Sequence, residues 1–194
     1  GDLVFLSDQD DVWFENKIIL MFEMANSISE KFLFMNDAVI TDSLLNTKSF
    51  TKIEQIKFSG LGLNSFVQGS CCAIRREILD IAIPLPKEIE AHDNWIVKIA
   101  RFLNLIHVNT EVLQYYRLHG DNTSNYLINS LTKMSRVSRL LSRMKRREDL
   151  FIEFLSELKF TDKIYNRLIN NKSSEVIKLI GKNNLNNIKN TLDE

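Results

Sequence analysis

The chain has 194 residues, 44% of them hydrophobic, and its 25 basic residues are balanced by 25 acidic ones. That length suits one domain with a proper core, alone or with an appendage. Zero net charge gives no global attraction to nucleic acid or to a membrane, so any such binding has to come from local charge. No apolar run reaches the roughly 20 residues that span a bilayer. Cys71 and Cys72 are adjacent, too close for a useful structural bridge, and reduced thiols in a cytoplasmic setting are the expectation.

The opening segment Leu3–Leu6 reads as a short buried strand and ends at Ser7-Asp8-Gln9-Asp10-Asp11. Carboxylates at the end of a strand lie at the edge of a sheet, where α/β proteins bind ligands. Aspartates at that density repel one another unless solvated, hydrogen-bonded or neutralised by a cation. Hard oxygen ligands suit Mg²⁺ or Mn²⁺, which in such sites also hold substrate phosphates. The plainer reading makes Asp11 the cap of a helix starting near Phe14. A strand that begins a parallel sheet with nothing before it predicts that an N-terminal portion is missing.

Residues 14–27 read as a helix that is apolar nearly all round, suited to burial against a sheet. Residues 32–35 and 38–41 read as two short strands flanking Asn36-Asp37. From Ser43 to Ser65 the pattern weakens into a polar loop. A small-residue strand is expected over 69–74, then a helix to Ala82 closed by Pro84 and Pro86. Residues 92–103 read as a helix with Trp95, Ile96, Ile99, Ala100 and Leu103 at core spacing. Strands follow at 106–108 and 112–116, leading into Arg117-Leu118-His119-Gly120-Asp121-Asn122. The alternation to about residue 125 argues an α/β fold. Residues 126–194 read as a helical tail. Within it, 133–147 pairs a stripe of Met134, Val137, Leu140, Leu141 and Met144 with a face of Lys133, Arg136, Arg139, Arg143 and Arg147. Such a helix suits an anionic membrane surface, or else packs on its own domain with that face solvated.

In this order, residues 3–125 resemble the later part of a family 2 glycosyltransferase of the GT-A fold, above all its rhamnosyltransferase-like bacterial members. The resemblance rests on Phe5-Leu6-Ser7-Asp8-Gln9-Asp10-Asp11-Val12-Trp13 with Lys17 after it, on Asn36-Asp37-Ala38 with Thr41-Asp42, and on Gly69 and Arg75-Arg76. It continues through Pro84-Leu85-Pro86, His92-Asp93-Asn94-Trp95 and Tyr116-Arg117-Leu118-His119-Gly120-Asp121-Asn122. It implies a partial, Rossmann-like GT-A domain over 1–125, its metal-binding and acceptor half. The implied reaction moves a sugar from a nucleotide-diphosphate donor to an acceptor hydroxyl, on a glycan or lipid-linked precursor of cell-surface polysaccharide or glycolipid. Asp8 and Asp10 match the family's metal motif for Mg²⁺ or Mn²⁺, with Asp11 in support and His119 completing the shell or touching the diphosphate. Asp93 matches the catalytic base of inverting members. Arg117 would pair with phosphate oxygens, Gly69 would lie at the substrate, and Trp95 is either core or part of an acceptor wall. Complete members begin with strands that carry the nucleotide-base pocket. None of these is in this sequence, which puts turnover by this chain alone in doubt.

Two other readings share these residues. A truncated domain serving as a non-catalytic module would dock on a membrane or a partner transferase through residues 133–147 and an exposed sheet edge. A haloacid-dehalogenase-like phosphatase would use Asp8 as phosphoryl acceptor and Asp10 as general acid and base. The location expected for the transferase is cytoplasmic, peripheral on the inner face of the membrane, with no nucleic-acid partner.

Overall fold

A computed structural model describes residues 1–58, 62–87, 89, 91–118, 160 and 162–168. The chain divides into two units, Gly1–Thr132 and Lys133–Glu194. In the second, residues 162–168 are helical and bury Ile164 and Leu168, four positions apart on one face. The basic segment 133–147 and His119 lie outside the described residues.

The first unit is a mixed α/β domain. Its elements in chain order are β1 (Leu3–Phe5), β2 (Val12–Trp13), α1 (Lys17–Ser27), β3 (Leu33–Thr41), β4 (Thr47–Thr51) and α2 (Lys52–Phe58). Then come single 3₁₀ turns at Leu63–Ser65 and Gly69–Cys71, β5 (Cys72–Arg75), α3 (Arg76–Ala82), α4 (His92–Phe102) and β6 (Ile106–Arg117). The sheet runs in the order β1-β5-β3-β6-β2, with β4 added to β3. Among the described residues only β3 and β6 pair in parallel; β1–β5, β5–β3, β3–β4 and β6–β2 are antiparallel. The sheet is thus mixed rather than parallel. β1 is an edge strand, half-buried where a buried strand was expected.

Two predicted breaks prove to be irregularities inside long strands. Residues 33–41 form one nine-residue strand in which the register against β6 shifts at Asp37. Asn36-Asp37 reads as a break between two strands because both residues are polar, yet each side chain makes a local hydrogen bond. Asn36 Nδ2 donates to the Asp37 carbonyl at 2.6 Å, and the Ala38 N–H donates to Asp37 Oδ1 at 2.8 Å. On the facing strand, β3 advances from Met35 to Asp37 while β6 advances from Val108 to Val112. Asn109, Thr110 and Glu111 therefore bulge out of a continuous β6.

The expected polar loop after Ser43 holds β4 and α2. The helix starts on a reciprocal cap: the Glu54 N–H donates to Thr51 Oγ1 at 3.2 Å and the Thr51 N–H to Glu54 Oε2 at 2.9 Å. Asp37 Oδ1 accepts a further bond from the Ile53 N–H at 3.0 Å, tying the helix to β3.

Helix α1 begins at Lys17 because Phe14 is still held by the sheet, its N–H donating to the Leu113 carbonyl at 2.9 Å. Only Lys17, Met21 and Ala25 are buried, one line at i, i+4 and i+8. Met21 and Ala25 pack on Phe34, Ala73 and Leu113 of the sheet. Ile18, Ile19 and Phe22 are more than half exposed, so an apolar composition all round is not burial all round. α4 keeps its predicted core face: Trp95, Ile96, Ile99, Ala100 and Leu103 are all buried. No helix among the described residues is long and apolar enough to cross a membrane.

Candidate functional site

The acidic residues occupy the connection from β1 to β2. Because β1 runs antiparallel to β5, the end of β1 meets the turn Gly69–Cys71 that opens β5. β2 pairs with β6, setting Val12 opposite Tyr115 and Trp13 opposite Gln114. The acidic loop is therefore held between the start of β5 and the last residues of β6.

Asp11 is the loop's anchor. Its Oδ2 accepts bonds from Ser70 Oγ at 2.5 Å and Gln114 Nε2 at 3.0 Å, and its Oδ1 accepts from the Arg117 N–H at 3.2 Å. Burial raises its carboxyl above the usual range, and these bonds oppose the rise. The capping reading is overturned: the residue before α1 is Asn16, and no side chain caps that helix. Asp8 is exposed nearby. Desolvation and then the Asp10 charge raise its carboxyl, with Asp93 adding to the rise, while Ser70 and His92 lower it. Asp10, half-buried in the same loop, thus lies within electrostatic reach of both Asp8 and Asp11.

Asp93 comes to this place from the first turn of α4. Its Oδ1 accepts from the Asn94 N–H at 2.7 Å and its Oδ2 from the Gly69 N–H at 3.2 Å. It does not cap α4, whose N-cap is Ala91 with no side-chain bond; it ties the first turn of that helix to the Gly69–Cys71 turn, on which the acidic loop also rests. Gly69 is the contact that makes this possible. A Cβ there would stand 3.1 Å from Asp93 Cβ and 3.3 Å from Oδ2. Gly69→Ala is expected to push the carboxylate aside and cost about 1–3 kcal/mol, as overpacking does. Urea denaturation measures it; an unchanged midpoint would mean that the turn and α4 can separate freely.

Trp95 is not part of an acceptor wall. It is 2% exposed, with Nε1 donating to the Ala82 carbonyl at 3.0 Å, and it joins α4 to α3 as core. Arg117 serves Asp11 through its main-chain N–H. Cys71 and Cys72 are buried free thiols, pushed far above the ordinary thiol range by desolvation.

Lys17, Ser70 and Gln114 carry the site from beneath; the resemblance included Lys17 without giving it a role, and the functional reading passed over Ser70 and Gln114. All three are fully buried. Lys17 Nζ donates to the Ser70 carbonyl at 2.6 Å and to Gln114 Oε1, and lies 4.2 Å from the centre of the Trp13 ring. The signal was in the helix pattern: a lysine in line with Met21 and Ala25 on the buried stripe. Burial pushes its ammonium down to about 8.

That shift predicts an alkaline stability profile. Between about 8 and the ordinary lysine value the unfolded chain holds more protons than the folded one, so stability rises as pH rises through this window. The buried thiols act oppositely, because above about 9 the unfolded chain loses protons that folded Cys71 and Cys72 keep. In the unaltered protein the two effects largely offset one another between pH 8 and 9, and above that the pair of thiols outweighs the lysine, so unfolding free energy falls. With both cysteines replaced by alanine the lysine acts without them, and unfolding free energy is expected to gain about 1 kcal/mol from pH 8 to 9. Lys17→Met in that background should remove the gain, and a flat profile in the double-alanine variant would contradict the buried ammonium.

Among the described residues, no group of three or more His, Cys, Asp or Glu side chains is arranged to hold a metal ion. The donors still fit a hard divalent cation of the expected kind. Mg²⁺ is commonly held by one or two carboxylates, with waters and substrate phosphates completing its shell, and the mutual repulsion of Asp8 and Asp10 favours such a charge between them. No protein-family model matches the chain, and no curated protein matches it.

Proposed function

We propose that residues 1–125 carry the metal-binding and acceptor residues of a GT-A glycosyltransferase that moves a sugar from a nucleotide diphosphate to an acceptor hydroxyl. The observation that carries the reading is the meeting of two separate sequence motifs at one sheet edge. The Asp8–Asp11 loop and Asp93 both bond to consecutive residues, Ser70 and Gly69. A cation held by Asp8 and Asp10 would offset the charge that builds on the departing diphosphate. Asp93 takes the proton of the acceptor hydroxyl as its oxygen bonds to the anomeric carbon and the bond from that carbon to the diphosphate oxygen breaks. Its carboxylate is aimed by two backbone N–H groups, so little reorganisation precedes the step. The acceptor in this reading is a glycan or lipid-linked precursor, met at the inner face of the membrane with help from residues 133–147.

Calorimetric titration with uridine and thymidine diphosphates, with and without Mn²⁺, tests the proposal. Binding that requires the metal supports it. Absence of binding by a chain folded by circular dichroism would remove a self-sufficient donor site, and release of phosphate from an aryl phosphate would favour the phosphatase reading instead.

A further inference from the structure

Lys17 is buried, and among the described residues its hydrogen-bond acceptors include no carboxylate. Its three N–H directions are taken by the Ser70 carbonyl, by Gln114 Oε1 and by the face of Trp13. A methionine of similar length would fill the same space without the cost of desolvating a charge. What the ammonium supplies and a methionine does not is polarity. An ammonium only donates, so the Gln114 atom that faces it is the oxygen. The other end of that amide, 3.0 Å from both Asp11 Oδ2 and Ser70 Oγ, is then the NH₂ group with its two donors. Ser70 accepts one of them and directs its own proton to Asp11 Oδ2. Flipped, Gln114 would set a carbonyl oxygen against a carboxylate. The hydrogen bonds thus run one way, from Lys17 through Gln114 and Ser70 to Asp11.

We propose that Lys17 is a positioning residue: it fixes the polarity of the Gln114 amide, turns the surrounding donors onto Asp11, and so holds the acidic loop against β6 and the Gly69–Ser70 turn. The same turn holds Asp93, so this network also sets the acidic loop relative to that carboxylate. The geometric claim stands on the hydrogen bonds; its consequence for diphosphate binding rests on the function proposed above.

Lys17→Met and Gln114→Glu separate positioning from simple core filling. The glutamate is isosteric, gives Lys17 a direct anionic partner, and replaces the donors facing Asp11 and Ser70 with an oxygen. Exchange of the Arg117 amide proton, which is donated to Asp11 Oδ1, is read by NMR in each variant. The reference is the Trp95 indole proton, donated to the Ala82 carbonyl. Both variants are expected to speed Arg117 exchange at least about tenfold and leave Trp95 unchanged. Both should also weaken Mn²⁺-dependent binding of uridine diphosphate about tenfold or more, the range seen when residues that orient a metal's ligands are lost. Unchanged Arg117 exchange in Gln114→Glu overturns the proposal, and that variant decides the matter if Lys17→Met fails to fold. Failure of the unaltered chain to bind uridine diphosphate with Mn²⁺ would instead remove the self-sufficient donor site, leaving the exchange result to judge Lys17.

Discussion

Asp10→Ala is expected to weaken Mn²⁺-dependent binding of uridine diphosphate by more than about 100-fold while leaving the far-ultraviolet circular dichroism unchanged. Loss of a residue that only orients a metal's ligands costs about 10–100-fold, and loss of a ligand costs more. The fold should survive because Asp10 belongs to the connection between β1 and β2 and not to the sheet or its core. Without a cation, Asp8 and Asp11 remain partly desolvated carboxylates whose folded-state pKa values are raised. By linkage, their contribution to stability falls as pH rises from the unfolded carboxylate value through those raised values. A bound divalent cation favours the ionised forms, so Mn²⁺ should flatten that fall in the unaltered protein and leave it in Asp10→Ala. Binding that survives the substitution, or a fall indifferent to Mn²⁺, would take the metal away from this loop.

How much of this was legible in the sequence follows from where each signal resides. α3 and α4 were readable from the prolines that follow α3 and from the apolar spacing along each segment. β3 and β6 were cut in two because Asn36-Asp37 and Asn109–Glu111 carry turn chemistry. What keeps each strand whole is its pairing with the other across the sheet, which no local pattern records. β4 and α2 were lost in a polar stretch although Thr51-Lys52-Ile53-Glu54 spells a capping box. That box was findable; the support from Asp37 to the Ile53 N–H was not.

The site divides in the same way. Asp8, Asp10 and Asp11 announced themselves as acidic groups at the end of an apolar segment, and Asp93 through the resemblance carried by His92-Asp93-Asn94-Trp95. Their mutual placement depends on β2 pairing with β6 and on a glycine with room for a carboxylate. The supporting bonds join Lys17 to residues 53 and 97 positions away. Such a network is invisible to motif reading, except that a lysine on a buried stripe must find acceptors somewhere. Trp95 marks the converse limit. Its neighbours in sequence suggested a ligand wall, whereas the spacing of its own helix already assigned it to the core.

In any complete version of the proposed enzyme, Asp93→Asn is expected to lower the rate constant of sugar transfer by about 10²–10⁴-fold, the range a positioned general base supplies. The loss should fall on kcat and leave the affinity for Mn²⁺ and uridine diphosphate within about twofold, because the group acts on the acceptor's proton and not on the donor. Asparagine keeps one oxygen to accept either the Asn94 or the Gly69 N–H, and turns an NH₂ toward the other. That mismatch is expected to cost about 1 kcal/mol of stability, the order of one hydrogen bond. Loss of turnover can then be compared with a measured and much smaller structural effect. The comparison with Gly69→Ala sharpens it further: that variant keeps the carboxylate and moves it, so it should retain a residual rate that Asp93→Asn lacks. Turnover near that of the unaltered protein in Asp93→Asn would assign the base elsewhere. Equal loss of turnover and of nucleotide affinity would make Asp93 part of the donor site.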